Sequence, residues 1–507
     1  MKARLLVSLT IFGLLFSAFA ESQALTSMSS LRVRYNSMKV RTQPVGQLKA
    51  LIDKVDAEIT EAARLGLTGE SRRLLAKGTS LLTGNEWTDE ADFSASLVLR
   101  SDRVVVDPAS AYVVRLEQIY QPFIALEQPL TARASLIRIR GRGRDSQRQA
   151  SSFRDFGVFV GVSRDLRESP YFLELDLTGV PDGNYQLRVE VNENTRNLGT
   201  TQLSINVRQG LNEIVARLEQ GAANAPEAIK ADILYPVDRM KQVNRGRLEL
   251  RTFNPAADFA AAEAVMTASR SGTNPFDART GDFKRHYLLK SADEIMPYRM
   301  YVPTSYDSNK AIPLVVALHG LGGTENSFFD GYGSTFPQLA EEYGYIVAAP
   351  LGYRVDGSYG WGLGNPPRDP NTRARQELSE EDVMQVLYLV QQDYNIDANR
   401  IFLIGHSMGA IGTWKIAAKY PDFWAAIGMY AGSGRPGTLE SMQHIPQFVV
   451  HGDADPTVNV RGSRSMVARM RELEMTVEYI EVPGGNHSDV VEPNFPGLFN
   501  FFNNHPK

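Results

Sequence analysis

The sequence predicts an α/β protein with a doubly wound, mostly parallel eight-stranded sheet over residues 284–507, preceded by a helical segment and an all-β sandwich. Three observations carry that prediction. Near-continuous apolar runs alternate with amphipathic helical stretches in the last part of the chain, the pattern of a parallel sheet covered on both faces. Between residues 91 and 210, short runs of period-two hydrophobicity recur between turn clusters, as in an antiparallel sandwich. Over residues 21–90 the apolar period is helical instead.

At about 150 residues per domain, 507 residues make three domains or two unequal ones. Its 43% hydrophobic and 22% charged residues are those of an ordinary globular chain and exclude a collagenous, disordered or polytopic membrane protein. Lys+Arg 54 against Asp+Glu 58 gives a net charge of -4, so no overall field draws the chain to nucleic acid or an anionic membrane. The absence of cysteine removes disulfides, thiolate catalysis, zinc ribbons and iron–sulfur clusters together.

Taken in order, Lys2 and Arg4 precede an apolar run over 5–19 that Ser8, Thr10, Gly13 and Ser17 interrupt. Ala18-Phe19-Ala20 then offers small residues where a signal peptidase reads them. The expectation is a cleavable signal peptide over 1–20, no stable membrane span after cleavage, and a mature chain in the periplasm or outside the cell. In the helical segment 21–90, Leu48, Leu51, Ile52, Val55, Ile59, Ala62 and Ala63 recur at three and four, and Leu74, Leu75, Leu81 and Leu82 continue in a second helix. The sandwich, 91–210, has candidate strands at 93–99, 103–106, 112–116, 136–139, 156–162, 171–177, 185–191 and 202–207. Ile137 to Arg144 reads as an exposed strand face with arginine outward and isoleucine inward rather than as an anion-binding patch. Residues 211–283, Ala-rich over 256–268, read as a helical connector. The α/β region opens with an antiparallel pair, 286–289 and 298–302, followed by apolar strands at 314–318, 346–349, 401–404, 426–430, 448–450 and 477–482. One covering helix opens with a capping box at Ser379-Glu380-Glu381-Asp382, and another carries Met466, Met470 and Leu473.

The chemistry sits where strand 401–404 runs into Gly405-His406-Ser407-Met408-Gly409 and a helix follows from Ala410. This is a G-x-S-x-G elbow in its strand–turn–helix context, which lifts the Ser407 hydroxyl above the sheet. A serine nucleophile needs a base that follows both the serine and the acid in this architecture, which leaves His487 and His505 of the seven histidines. His505 lies near the chain end with nothing in the sequence to fix it, whereas His487 follows a strand in the turn Pro483-Gly484-Gly485-Asn486. Two acids follow the strand 448–450: Asp455, at H-G-x-x-D spacing, is preferred, and Asp453 is the alternative, better suited to binding loop amides. The glycine-rich His319-Gly320-Leu321-Gly322-Gly323 offers backbone amides for an oxyanion hole, with Leu321 first and Gly322 second, and Met408 supplies the other amide. The loop lacks the Lys-Ser/Thr ending of a phosphate cradle.

The set H-G-L-G-G, R-I-F-L-I-G-H-S-M-G, H-G-D-A-D-P-T-V and G-G-N-H resembles the secreted α/β-hydrolases of the feruloyl esterase and polyhydroxybutyrate-depolymerase-like group, often labelled prolyl-oligopeptidase-like. The resemblance covers about residues 284–502 and is specific for fold and triad but loose for substrate. It implies the α/β-hydrolase fold, a triad of Ser407, Asp455 and His487, no cofactor, and an immunoglobulin-like domain in front as an oligomerisation or docking element. Ala410 departs from it, since many relatives have a second glycine there.

The long loop 353–372 holds Tyr353, Tyr359 and Trp361, expected either to wall the substrate pocket or to anchor the loop; Phe328 and Phe329 face the same choice between wall and core. The functional expectation is a secreted serine hydrolase cleaving small, feruloyl- or acetyl-type carbohydrate-linked carboxylic esters through an acyl-enzyme. A serine peptidase of prolyl-oligopeptidase-like type is the alternative, although no propeller repeat precedes residue 284. No metal is expected, because there is no H-E-x-x-H and no other ligand cluster. No nucleic-acid partner is expected either; self-association through the N-terminal domain is.

Overall fold

The computed structural model describes residues 28–139, 152–270, 274–277 and 279–507. The signal-peptide expectation over 1–20 and the Arg140 to Arg144 part of the arginine run lie outside these residues. The chain forms two compact units, Met1–Gln220 with Pro236–Ala261, and Gly221–Tyr235 with Ala262–Lys507.

In the first unit three helices, Met28–Thr42, Gly46–Arg64 and Thr68–Leu82, bury Tyr35, Ile52, Val55, Ile59, Ala62, Leu74, Leu75 and Leu82 against one another. Leu51, expected in the stripe, is 48% exposed. The first helix brings Met28, Leu31, Tyr35 and Met38 to this core, a stripe too thin to stand out in the sequence. Gly78 lets the Tyr35 ring come close to its helix, because a Cβ there would sit 2.5 Å from a ring carbon.

Residues 93–96, read above as strand, belong to the helix Asp89–Ser96. Its start is specified by Thr88, whose hydroxyl accepts from the Ala91 amide, and by Asp89, Glu90 and Asp92 in the first turn. Eight strands follow: Leu97–Ser101 (β1), Val105–Val106 (β2), Tyr112–Gln118 (β3), Leu130–Arg138 (β4), Ser152–Val162 (β5), Tyr171–Leu175 (β6), Gly183–Glu193 (β7) and Arg196–Val207 (β8). They form a three-stranded sheet, β1-β3-β6, and a five-stranded sheet, β2-β8-β7-β4-β5. All pairs are antiparallel except β2 with β8. Arg138 is exposed, as expected of the arginine strand, but its isoleucines do not point inward. Leu130, Ala132, Ala134 and Leu136 take the inward positions of β4, so Ile137 is half-buried and Ile139 is 47% exposed.

The connector is made of the helices Leu211–Ala223, Glu227–Asn244 and Pro255–Arg270, but it is no separate element: 221–235 and 262–270 pack with the second unit and 236–261 with the first. The reason is visible at Asp232. Its buried carboxylate accepts from the His286 amide at 2.8 Å and from Arg285 Nε at 3.3 Å, and the Tyr235 ring stacks on His286 at 3.9 Å.

The second unit is built on Gly281–Leu289 (β9), Glu294–Val302 (β10), Ile312–Leu318 (β11), Ile346–Pro350 (β12), Ile396–His406 (β13), Ala426–Tyr430 (β14), Gln447–Gly452 (β15) and Val477–Val482 (β16). Their order in the sheet is β16-β15-β14-β13-β11-β12-β10-β9. β10 runs antiparallel to both neighbours, and every other pair is parallel. An eight-stranded sheet of this order with one antiparallel strand near its edge is the α/β-hydrolase fold. The central runs 314–318, 346–349, 401–404, 426–430 and 448–450 of β11 to β15 are apolar and buried on both faces because helices cover both. One layer is aromatic, with Phe328, Phe336, Phe495, Phe499 and Phe502 against Phe402 and Tyr430. The helix expected to start at Ser379 instead spans Pro370–Asp393. Asp369 caps it by accepting from the Thr372 amide, with Pro370 in the first turn, which leaves Ser379 buried in mid-helix.

Candidate active site

β13 ends at His406 and the helix Met408–Lys419 begins immediately after Ser407, whose backbone is held at φ 56° and ψ -115°. A left-handed φ on a non-glycine residue is strained by roughly 1–3 kcal/mol and persists only where the surroundings impose it. Here they do. The Ser407 amide donates to Tyr430 O at 2.9 Å, and the chain crosses itself so closely that a Cβ on Gly405 would run into the Gly409 carbonyl and one on Gly409 into Leu318 O. Ala410 fits because Gly432 faces it, where a Cβ would stand 2.6 Å from the Ala410 methyl.

Loops after two strands bring the other side chains to this serine. His487, after β16, places Nε2 2.8 Å from Ser407 Oγ and Nδ1 2.7 Å from Asp455 Oδ2. Asp455, after β15, is fully buried at its side chain. Burial alone would raise its carboxyl, but hydrogen bonds from His451, His487 and the amides of Val458 and Thr457 outweigh it and hold the group well below the ordinary carboxylate range. Asp453 lies outside this chain and accepts from the Gly484 amide at 2.6 Å, tying down the loop that carries His487. His505, for which the sequence offered no anchor, is held through Nδ1 to Phe501 O at 2.7 Å.

The loop after β11 discriminates between the oxyanion candidates. The Gly322 amide is used by Val355 O at 2.8 Å and the Gly323 amide by Gly320 O at 3.0 Å. Among the described residues, the amides of Leu321 and Met408 have no such acceptor. His319 steadies the loop, with its ring nitrogens 2.7 Å from Gly320 O and 2.7 Å from Leu351 O.

Tyr359 is not a pocket wall. It is fully buried, donates to His319 O at 3.1 Å, and lies so close over Gly412 that a Cβ there would be 2.5 Å from its ring. The ring fills the space behind the glycine-rich loop and presents no surface to a ligand. Tyr353 is partly buried and anchored, its amide donating to Asp382 Oδ2 at 2.7 Å. Burial pushes the Asp382 carboxyl up to about 6. Trp361 remains partly exposed, with Lys419 Nζ 5.9 Å over its ring. Phe328 and Phe329 are core, 1% and 3% exposed.

Three polar contributors were not singled out in the sequence. His451, the histidine of H-G-x-x-D, has Nε2 3.2 Å from Asp455 Oδ2. His406, between glycine and serine in the elbow, has Nε2 2.9 Å from His487 O and Nδ1 2.8 Å from the Tyr332 hydroxyl. Their motif positions were the available signal; Tyr332 had none. Among the described residues no group of three or more His, Cys, Asp or Glu could hold a metal ion, and no helix is long and apolar enough to cross a membrane.

Residues 290–471 match a protein-family model described as "Putative esterase". The second unit is esterase-like. Over 132 residues the chain is 33% identical to feruloyl esterase B of Neurospora crassa, covering 26% of this chain and 42% of that protein. Over 133 residues it is 32% identical to a probable acetylxylan esterase A of Aspergillus flavus, covering 26% and 40%. The chain thus spans about two fifths of the length of the curated relatives it matches. Among solved structures, a CE1 ferulic acid esterase of the anaerobic fungus Anaeromyces mucronatus aligns over 46% of this chain and 95% of that one, at 21% identity and a TM-score of 0.37. Ser407 and Asp455 fall inside the stretch matched to the esterase family, and His487 lies beyond its end.

Proposed function

We propose that the protein hydrolyses carboxylic esters through an acyl-enzyme on Ser407. The observation that carries this reading is the unbroken hydrogen-bond chain from Ser407 Oγ through His487 to Asp455, at 2.8 Å and 2.7 Å, on a strained elbow beside two uncommitted amides. His487 Nε2 takes the Ser407 proton as Oγ bonds to the ester carbonyl carbon, and the carbonyl oxygen becomes an oxyanion facing the Leu321 and Met408 amides. The imidazolium, steadied by the Asp455 carboxylate, returns that proton to the departing alkoxide oxygen. Water then repeats the sequence on the acyl-enzyme, releasing the carboxylic acid and restoring Ser407.

Similarity to a feruloyl esterase and an acetylxylan esterase supports aromatic or acetyl esters on carbohydrate as the substrate class. The N-terminal sequence supports export to the periplasm or beyond. The two sheets of the first unit serve substrate docking or self-association in this reading.

The test is covalent labelling with a fluorophosphonate, mapped by peptide sequencing, together with turnover of p-nitrophenyl acetate, methyl ferulate, acetylated xylan and a prolyl anilide. Label on Ser407 and a fall in kcat of roughly four to six orders of magnitude in Ser407→Ala are expected. Label that persists in that variant, or turnover of the anilide alone, would overturn the reading.

A further inference from the structure

The imidazole of His406 touches the proposed catalytic set through the backbone rather than through a reacting atom. Its Nε2 lies 2.9 Å from His487 O, and a carbonyl oxygen can only accept, so Nε2 carries the proton. A neutral ring has one N–H, so Nδ1 must accept, and the group 2.8 Å from it is the Tyr332 hydroxyl, a donor. The tautomer is therefore set from one side and used on the other. Burial pushes His406 down to about 4, which keeps the ring neutral in the working range. That matters because its ring centroid lies 4.9 Å from that of His487, where the imidazolium of the transition state would form.

The position of Tyr332 is itself imposed. Tyr332, Gly333 and Ser334 have φ values of 50°, 67° and 55°, three left-handed residues in succession. The Tyr332 ring is held between Phe328 at 5.4 Å and Phe495 at 5.9 Å, and a Cβ on Gly333 would meet Glu492 at 2.7 Å. Strain of this kind survives only where packing over-determines it, and here it delivers one hydroxyl to one ring nitrogen.

We propose that Tyr332 and His406 are positioning residues for the general base, forming a relay from hydroxyl to imidazole to the His487 carbonyl that fixes the backbone from which the His487 side chain reaches Ser407 and Asp455. The inference rests on the esterase reading above. It assigns to His406 a role beyond filling a variable position of the elbow.

The experiment measures kcat and KM on p-nitrophenyl acetate for Tyr332→Phe, His406→Leu and His406→Gln in the full chain. Tyr332→Phe removes one oxygen and should lower kcat about tenfold, the rate equivalent of one neutral hydrogen bond, with KM within about twofold. His406→Leu severs the relay and should lower kcat about 10²-fold, the size of effect that follows from misplacing a catalytic group by 1 Å. His406→Gln can still donate to His487 O and accept from Tyr332, and should restore kcat to within about fivefold of the parent. Folded Tyr332→Phe protein with the parent kcat, or a glutamine variant as slow as the leucine one, would overturn the relay. Should His406→Leu fail to fold, Tyr332→Phe alone decides. A parent protein that turns over no ester sinks the functional reading and this inference with it, whereas an active parent beside an unaffected Tyr332→Phe sinks this inference alone.

Discussion

The sharpest consequence of the site geometry concerns Asp455→Asn. Asp455 Oδ1 accepts from the amides of Thr457 at 2.7 Å and Val458 at 3.0 Å, while Oδ2 faces His487 Nδ1 at 2.7 Å and His451 Nε2 at 3.2 Å. An asparagine has one oxygen to place. If the oxygen stays with the two amides, the new NH2 points at His487 and forces Nδ1 to accept, so the proton moves to Nε2 and faces Ser407 Oγ. If the side chain turns over, the NH2 meets two backbone donors in a buried site, which is the costlier arrangement. The base is therefore held in the wrong tautomer with its position nearly unchanged. The expected loss is roughly 10⁴ in kcat, about 5.4 kcal/mol of transition-state stabilisation, with little change in KM. Asp453→Asn makes the control: its oxygen can still accept from Gly484 at an exposed position, so activity should stay within about twofold. Initial rates on p-nitrophenyl acetate at about pH 8, above the ordinary histidine pKa, measure both variants. An Asp455→Asn protein keeping more than about a tenth of kcat, or an Asp453→Asn protein falling further, would refute the reasoning.

Two further expectations concern stability. The unfolded chain protonates His406 at its ordinary value of 6.5, whereas burial holds the folded group at about 4. The unfolded state therefore binds more protons in that window, and stability is lost as pH falls from 6.5 toward 4; at about pH 4.5 this group costs about 2.5 kcal/mol. Urea unfolding at about pH 7.5 and 4.5 should show that loss in the parent and not in His406→Gln, and equal losses would contradict it. Asp232→Ala should lower unfolding stability by about 3 kcal/mol, because the Arg285 guanidinium stays buried with only part of its pairing, while kcat per folded molecule is unchanged. A loss under about 1 kcal/mol would show that Asp393 and Ala228 O suffice.

Features encoded in adjacent residues were legible in the sequence. The elbow glycines, the apolar strands and the H-G-x-x-D spacing each report on backbone paths a few residues long, so Ser407, Asp455 and His487 could be selected before their distances were known. Competing local signals caused the misreadings: Thr88 and the acids after it outweigh the period-two alternation of Phe93-Ser94-Ala95-Ser96, and Asp369-Pro370 starts a helix that Ser379 merely continues. What could not be read is set by partners distant in the chain. His406 and Tyr332 are 74 residues apart, and Tyr359 and His319 are 40 apart, so neither pairing leaves a periodic trace.

The division of the helical stretch between the two units governs how the protein can be synthesised. The chain changes unit at Gln220/Gly221, again at Tyr235/Pro236, and again at Ala261/Ala262. Asp232 is 53 residues ahead of the arginine it pairs with, which at translation rates of about 5–20 residues per second leaves it without that partner for roughly 3 to 10 s. The first unit likewise takes in 236–261, so each unit is complete only once the chain has passed the third crossing. No single cut frees either unit whole, and transplanting the esterase-like unit onto another protein requires both of its segments, or a circular rearrangement that joins them.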